Sequence, residues 1–487
     1  MFRKTCQDMR SINNAMHSLR QNLAASTAAD ANIELPAPQG LSYLPYQRAG
    51  ISFGLKNLGV LIADEPGLGK TIQAIGIINA DPRVRHILVV CPASLKTNWA
   101  RELNKWLVIP RKTVVIEGSN CLSTAFGAEV VIINYELVPV YIDAILAYSW
   151  DMIIADECHV LRNIDAKRTQ HIVGVNCATE NALVPIPARR KVFLTGTPIL
   201  NRVKDIWTLV SYLNPTIWRS YEEFVSKYCK KSDGATGAVD SGSSNLEQLQ
   251  AMLRSTVMIR RLKKDVLSQL PPKQRAIVKL THCSSELASL LQREQQMFAS
   301  MRASIHEDAW DFYAQGINSM RPADKYLFEE TSRIRHEIAL LKTPLIIKYL
   351  EQELAKHHKI VVFAHHQDVI EQITRHFKDI AVSFTGKSSA KLKQQAIDRF
   401  QNDSGIRLCV ASILSAGVGI TLTAASRVIF AELDWTAANV TQAEDRCHRI
   451  GQRYSVEVVH LILEGSIDIN IAQKIIIKQR IYEQALN

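Results

Sequence analysis

Short runs of apolar, largely β-branched residues recur along this chain. Each is followed by a polar turn and then by a segment whose apolar positions fall three and four apart. In the first half the runs are HILVVCP (86–92), KTVVI (112–116), EVVIINY (129–135), DMIIADE (151–157) and KVFLTGT (191–197). In the second half they are KIVVFAHH (359–366), AVSFTG (381–386), RLCVAS (407–412), RVIFAEL (427–433) and VEVVHLIL (456–463). A continuous apolar run of this length is a strand covered on both faces, and the segments between have helical spacing. The pattern predicts an α/β protein with two parallel-sheet halves and helical insertions between them.

The organisation follows from where the alternation starts and stops. Residues 1–40 read as an N-terminal arm and linker, because 24–40 (AASTAADANIELPAPQG) are small, polar and Pro-bearing. The first α/β unit spans 41–213. Residues 214–335 carry a Gly/Ser-rich loop, KKSDGATGAVDSGSS (230–244), and long helical patterns, and are expected to be helical insertions and an inter-lobe linker. The second α/β unit spans 336–487. The RRLKKDV cluster (260–266), four bases and one acid, reads by itself as a solvated helix face.

Candidate chemistry sits at the carboxyl ends of the predicted strands, where open α/β sheets bind ligands. LIADEPGLGKTIQ (61–73) is an apolar strand end, a Gly-containing turn and a helix start. The loop Asp64, Glu65, Pro66, Gly67, Leu68 and Gly69 would cradle phosphates with backbone N–H groups. Lys70 would reach the β/γ-phosphates of ATP, and the Thr71 hydroxyl would bind Mg²⁺. The strict pattern has Gly where this chain has Asp64. DECH (156–159) follows a buried strand: Asp156 can hold Mg²⁺ through water, and Glu157 can orient and deprotonate the attacking water. In the second half, SAGVGITLTAAS (415–426) is a Gly-containing loop after a strand, suited to close backbone approach to a ligand. QAEDRCHRIGQ (442–452) spaces Gln442, Arg446 and Arg449 four and three residues apart, on one face of a predicted helix. Either guanidinium could act as an arginine finger, a role worth about 10³–10⁵ in rate. Gln47, about twenty residues before the phosphate loop, could read adenine; alone, it reads as a surface Gln at a helix start.

Composition narrows the partners. The 487 residues hold 58 Lys+Arg against 47 Asp+Glu, a net charge of +11, which favours a polyanionic partner. Nine scattered cysteines without a C-x-x-C pair point to reduced thiols and no zinc site. No apolar run is long enough for a membrane span. Trp99 and Trp106 lie near helical spacing and are expected to pack a helix, while Trp435 could pack or stack on a base.

The set YQRAG, DEPGLGKT, DECH, LTGTP, MIRRLKKDVLSQLPPK, SAGVGITLT and QAEDRCHRIGQ resembles the Swi/Snf-related branch of superfamily 2 helicases, over roughly residues 41–475. The stretch 241–275 resembles the HARP-type annealing helicases more than the nucleosome remodellers. DECH stands where many members have DEAH or DESH. The resemblance implies two RecA-like lobes that share an ATPase site of Lys70, Thr71, Asp156, Glu157, Arg446 and Arg449. It implies that Gln47 contacts adenine and that Gly417 and Gly419 lie beside the nucleotide. It further implies ATP and Mg²⁺ as cofactors, and duplex or branched DNA gripped near Ser94, Thr385 and Ser412. The expected activity is a DNA-dependent ATPase and translocase; a nucleotide-gated DNA-binding switch and an RNA-directed enzyme are the alternatives. The compact motor suits a bacterium or phage, hence a cytoplasmic or nucleoid-associated location. No protein partner is legible.

Overall fold

The computed structural model describes residues 17–119, 121–174, 183–199, 202–229, 244–281, 284–304, 322–416, 420–434 and 436–473. Two compact units divide between Ser268 and Gln269. All ten apolar runs named above are strands, and so is the run before the phosphate loop.

The first unit holds a seven-stranded sheet in the order β3-β4-β2-β5-β6-β1-β7. Its strands are β1 (Gly59–Ile62), β2 (Ile87–Cys91), β3 (Thr113–Val115), β4 (Val130–Asn134), β5 (Trp150–Asp156), β6 (Ala188–Leu194) and β7 (Met258–Ile259). Every pairing is parallel. The central strands β2 and β4 are buried at every position, as a sheet covered on both faces requires.

The second unit has its own parallel sheet, ordered β10-β11-β9-β12-β13-β8. It comprises β8 (Lys273–Leu280), β9 (Ile360–Ala364), β10 (Ala381–Phe384), β11 (Leu408–Ser412), β12 (Arg427–Phe430) and β13 (Val456–Leu463). The period of two is visible in its cores. Val361 and Phe363 pack on one face with Phe384, Cys409 and Val428. Ile360, Val362 and Ala364 pack on the other with Leu408, Val410 and Ile429.

The segment expected to be a helical insertion also supplies a strand to each sheet. Residues through Met258 join the first unit's core, with Phe224, Leu249 and Leu253 buried in it, and β7 extends that sheet beside β1. β8 pairs along eight residues of β13. Its burial is slight along most of its length, so its sequence carries little of the apolar signal that marks the other strands. Helices Ser285–Ser304 and Pro322–Leu354 then pack through Leu287, Leu290, Ile334 and Ile338.

Candidate active site

Register brings the candidate loops of the first unit together. Ile62 of β1 pairs with Leu194 of β6, and Leu194 pairs with Asp156 of β5. Three adjacent strands therefore end in one row, and the phosphate loop, LTGT and DECH leave from it side by side.

The phosphate loop is shaped by two left-handed glycines, Gly67 (φ 93°) and Gly69 (φ 73°). Gly69 precedes helix Lys70–Ala80, and a Cβ there would lie 2.5 Å from Gln47 Nε2, so both backbone and space demand glycine. Gln47 is buried, not superficial: its Oε1 accepts from Leu44 N–H (2.9 Å) and its Nε2 donates to the Leu68 carbonyl (3.4 Å). It thus braces the loop from below.

Lys70 Nζ donates to the Asp64 carbonyl (2.9 Å). Burial holds this ammonium below its ordinary pKa, with Glu157, Asp64 and Asp156 pulling the other way and Arg260 adding to the depression. A bound anion would favour the charged form of this lysine.

The Asp64 side chain points inward and is fully buried. Its carboxylate accepts from Gln73 Nε2 (2.8 Å), from Arg261 N–H (3.0 Å) and from the Arg261 guanidinium through Nε (2.9 Å) and Nη2. Arg261 is only 2% exposed and also bonds the Tyr46 carbonyl and Gln73 Oε1 (2.9 Å). Lys263 is 3% exposed, and its N–H donates to Glu65 Oε2 (2.6 Å). This corrects the solvated-face reading of RRLKKDV: the helix there covers only Lys263–Val266, and the preceding arginines clamp the phosphate loop. Arg261→Ala, which strands a buried carboxylate, is expected to cost about 3–5 kcal/mol. Urea unfolding of the purified chain measures it, and a loss under about 1 kcal/mol would contradict the clamp.

The acid pair is equally constrained. Asp156 Oδ2 accepts from Trp99 Nε1 (2.8 Å) and its Oδ1 from Glu157 N–H (2.9 Å). Trp99 packs its helix as expected and aims the carboxylate as well. Burial, then the Glu157 charge, push the Asp156 carboxyl up to about 6. Its folded pKa is raised, so its contribution to stability is complete below the ordinary carboxylate range and is lost as pH rises through about 6. A divalent cation would let both carboxylates ionise together, so the pair fits Mg²⁺. Among the described residues no group of three His, Cys, Asp or Glu side chains could hold a metal. Glu157 sits in the left-handed region (φ 51°), a conformation costing about 1–3 kcal/mol that clusters at functional sites. His159 Nδ1 lies 3.3 Å from Glu157 Oε2 and 3.2 Å from Thr195 Oγ1, which ties DECH to LTGT. The Cys158 thiol is held far above its usual pKa by burial and the two acids and stays protonated.

In the second unit the expected helical face does not form. The helix spans only Ala437–Glu444, and Arg446 and Arg449 lie in the turns beyond it. Glu444 and Asp445 are drawn to β8, where Lys273 Nζ is 2.9 Å from each and Arg275 reaches Glu444 at 2.6 Å. Gln452 then bonds the carbonyls of Ala425 (2.8 Å) and Cys447 (3.1 Å), folding the turn back. Gln442 and Arg446 are buried. Arg449 Nη1 donates to the Ile420 carbonyl (2.7 Å) and Thr421 Oγ1 (3.0 Å). Burial and Arg446 lower the Arg449 pKa to about 10. Lys393, unflagged by the sequence, bonds the Ser415 carbonyl, and burial with Arg446 brings it down to about 8. Gly417, Gly419 and Trp435 lie outside the described residues. Ser94 is exposed just past β2, and Thr385 and Ser412 are half-buried at the ends of β10 and β11.

Residues 9–336 match the model of the SNF2-related domain, and residues 342–451 match the helicase conserved C-terminal domain. The chain belongs to the SNF2-related family. It is 32% identical over 476 residues to the DNA annealing helicase and endonuclease ZRANB3 of Homo sapiens, covering 94% of this chain and 42% of that protein. It is 32% identical over 438 residues to a Caenorhabditis elegans SWI/SNF-related matrix-associated actin-dependent regulator of chromatin subfamily A-like protein 1 homolog, covering 87% and 59%. The chain therefore spans about two-fifths to three-fifths of these curated relatives. The solved Sulfolobus solfataricus SWI2/SNF2 ATPase core in complex with dsDNA is 25% identical, with 92% of this chain and 94% of that one covered and a TM-score of 0.42.

Within this SNF2-related chain, sequence reasoning missed the side chains that hold the site. Arg260, Arg261 and Lys393 carry no local signal of burial, and only MIRRLKKDV, quoted for its resemblance, pointed near two of them; Trp99 was expected to pack a helix, but not to bond Asp156.

Proposed function

We propose that this chain is an ATP-hydrolysing DNA motor that moves on duplex or branched DNA without reading its sequence, to remodel or anneal it or to displace bound protein. The row formed by Ile62, Leu194 and Asp156 carries the proposal, because it sets a phosphate loop beside an acid pair. Lys70 meets the β/γ-phosphates, and loop N–H groups surround them. Thr71 and Asp156 would hold Mg²⁺, which, when bound with the nucleotide, neutralises phosphate charge. Glu157 orients the attacking water and takes its proton. Gln47 keeps the loop and the adenine side in register. Arg446 and Arg449 supply charge to the phosphate being transferred, and Gln442 is assigned to nucleotide binding with them. Membership in the SNF2-related family and relatives named as annealing helicases support DNA as the track, as does the net charge of +11.

Steady-state ATP hydrolysis without nucleic acid, then with single-stranded DNA, duplex, forked DNA and RNA, tests this reading. Stimulation by duplex or fork is expected. Equal stimulation by RNA favours an RNA-directed enzyme, and binding without turnover favours a switch. Because the grip would be on the phosphate backbone, DNA affinity should fall with log salt at a slope of about −0.9 for each phosphate neutralised by a Lys or Arg, while the uncharged Ser94, Thr385 and Ser412 would position the backbone without adding to it. Filter binding at several salt concentrations measures that slope, and a flat dependence would contradict it.

A further inference from the structure

The loop bearing Lys70 and the loop bearing Thr195 have one long side chain in common. Arg260 Nη1 donates to the Ala63 carbonyl (2.6 Å) and to the Gly196 carbonyl (3.3 Å). Ala63 directly follows β1 and Gly196 lies two residues beyond β6, so the guanidinium bridges the two loops where they leave the sheet. The loops also touch, since a Cβ on Gly196 would lie 2.6 Å from Pro66 Cγ and 3.4 Å from Lys70 Nζ. Beyond Gly196 the chain of contacts continues through Thr195 Oγ1 and His159 to Glu157.

The Arg260 backbone is held from the other side by the N-terminal arm. Its N–H donates to the Ser26 carbonyl (3.3 Å), and its carbonyl accepts from Arg254 Nη1 (2.9 Å). Residues 17–25 form a helix whose Asn22 Nδ2 bonds Asn57 Oδ1 (3.1 Å) and the Ser255 carbonyl (3.2 Å). Asp30 then takes two bonds from Arg48 (3.1 and 2.7 Å), next to Gln47. Ser26 is fully buried in this seam.

We infer that Arg260 is a positioning residue that makes the phosphate loop and the LTGT loop respond to nucleotide as one body, with residues 17–30 fixing its backbone. A planar guanidinium can hold two carbonyls at once in fixed geometry. A shift of the phosphate loop on nucleotide arrival is thereby passed to Gly196, and from there toward the acid that activates water. This rests on the ATPase reading, and the test separates the two.

Hydrogen exchange on ADP addition requires binding alone. In the wild-type chain ADP should protect residues 63–70 and 193–199 together; in Arg260→Gln only 63–70 should respond. Turnover on duplex DNA adds the second readout. Arg260→Ala should lower kcat by about 10- to 100-fold with KM for ATP within about twofold. Arg260→Lys, which keeps charge and donors, should stay within about fivefold of wild type. Deletion of residues 1–26 should lower kcat in the same sense. If 193–199 respond normally in Arg260→Gln, or stay silent in the wild type, the inference falls. It falls too if Arg260→Ala lowers only the melting temperature and leaves kcat intact. A wild-type chain that binds ADP but never turns over ATP removes the motor reading and leaves the exchange result standing.

Discussion

Lys70→Ala is expected to leave DNA-stimulated ATP hydrolysis about 10³-fold below the wild-type rate, the upper end for loss of one preorganised hydrogen-bond donor. Its Nζ donates to the Asp64 carbonyl, and burial disfavours its charge there. The ammonium is therefore expected to contribute little to folding and to act on a phosphate. Thermal melting of the variant should match or exceed wild type while turnover collapses, the divergence expected where a site stores unfavourable charge. The two measurements decide the assignment jointly. Retained stimulated turnover removes Lys70 from the site, and lost turnover with a large fall in melting temperature makes it a packing residue.

What the sequence made legible divides along a physical line. Strands buried on both faces announce themselves, because every position in a run such as ILVVC must be apolar. β7 is two residues long and β8 is an edge strand with slight burial, so neither has a run to read. The phosphate-loop pattern was legible because its residues are contiguous in the chain. Its clamp was not: Arg261 lies 197 residues from Asp64, and an arginine buried on a carboxylate is spelled like one in water. The same distance problem ended the helix before Arg446. Burial works against ionisation of Glu444, yet Lys273, His460 and Arg275 hold its pKa well below the ordinary carboxylate value. Two of those partners come from β8, which only tertiary structure supplies. Sequence spacing alone continued a helix that Glu444 and Asp445, committed elsewhere, end.

Arg449→Ala is expected to lower turnover by about 10³–10⁵-fold, the range for an arginine that meets phosphate charge in the transition state, with ATP affinity changed far less. The surroundings of Arg449 within the second unit support that expectation. Burial first and Arg446 second depress Arg449, and the same two causes depress Lys393. Arg446 is buried, and Arg449 and Lys393 are half-buried, so a phosphate gaining charge in the transition state would be attracted by all three. Arg449 is held for this by the Ile420 carbonyl and Thr421 Oγ1, which fix the plane of its fork. Arg449→Lys keeps the charge but loses that fork, and should recover only a small part of the rate. Single-turnover hydrolysis with saturating ATP separates the cases. Weakened binding with a normal rate per bound ATP would make Arg449 a binding residue. A full rescue by Lys would show that charge alone, without geometry, is what the site requires.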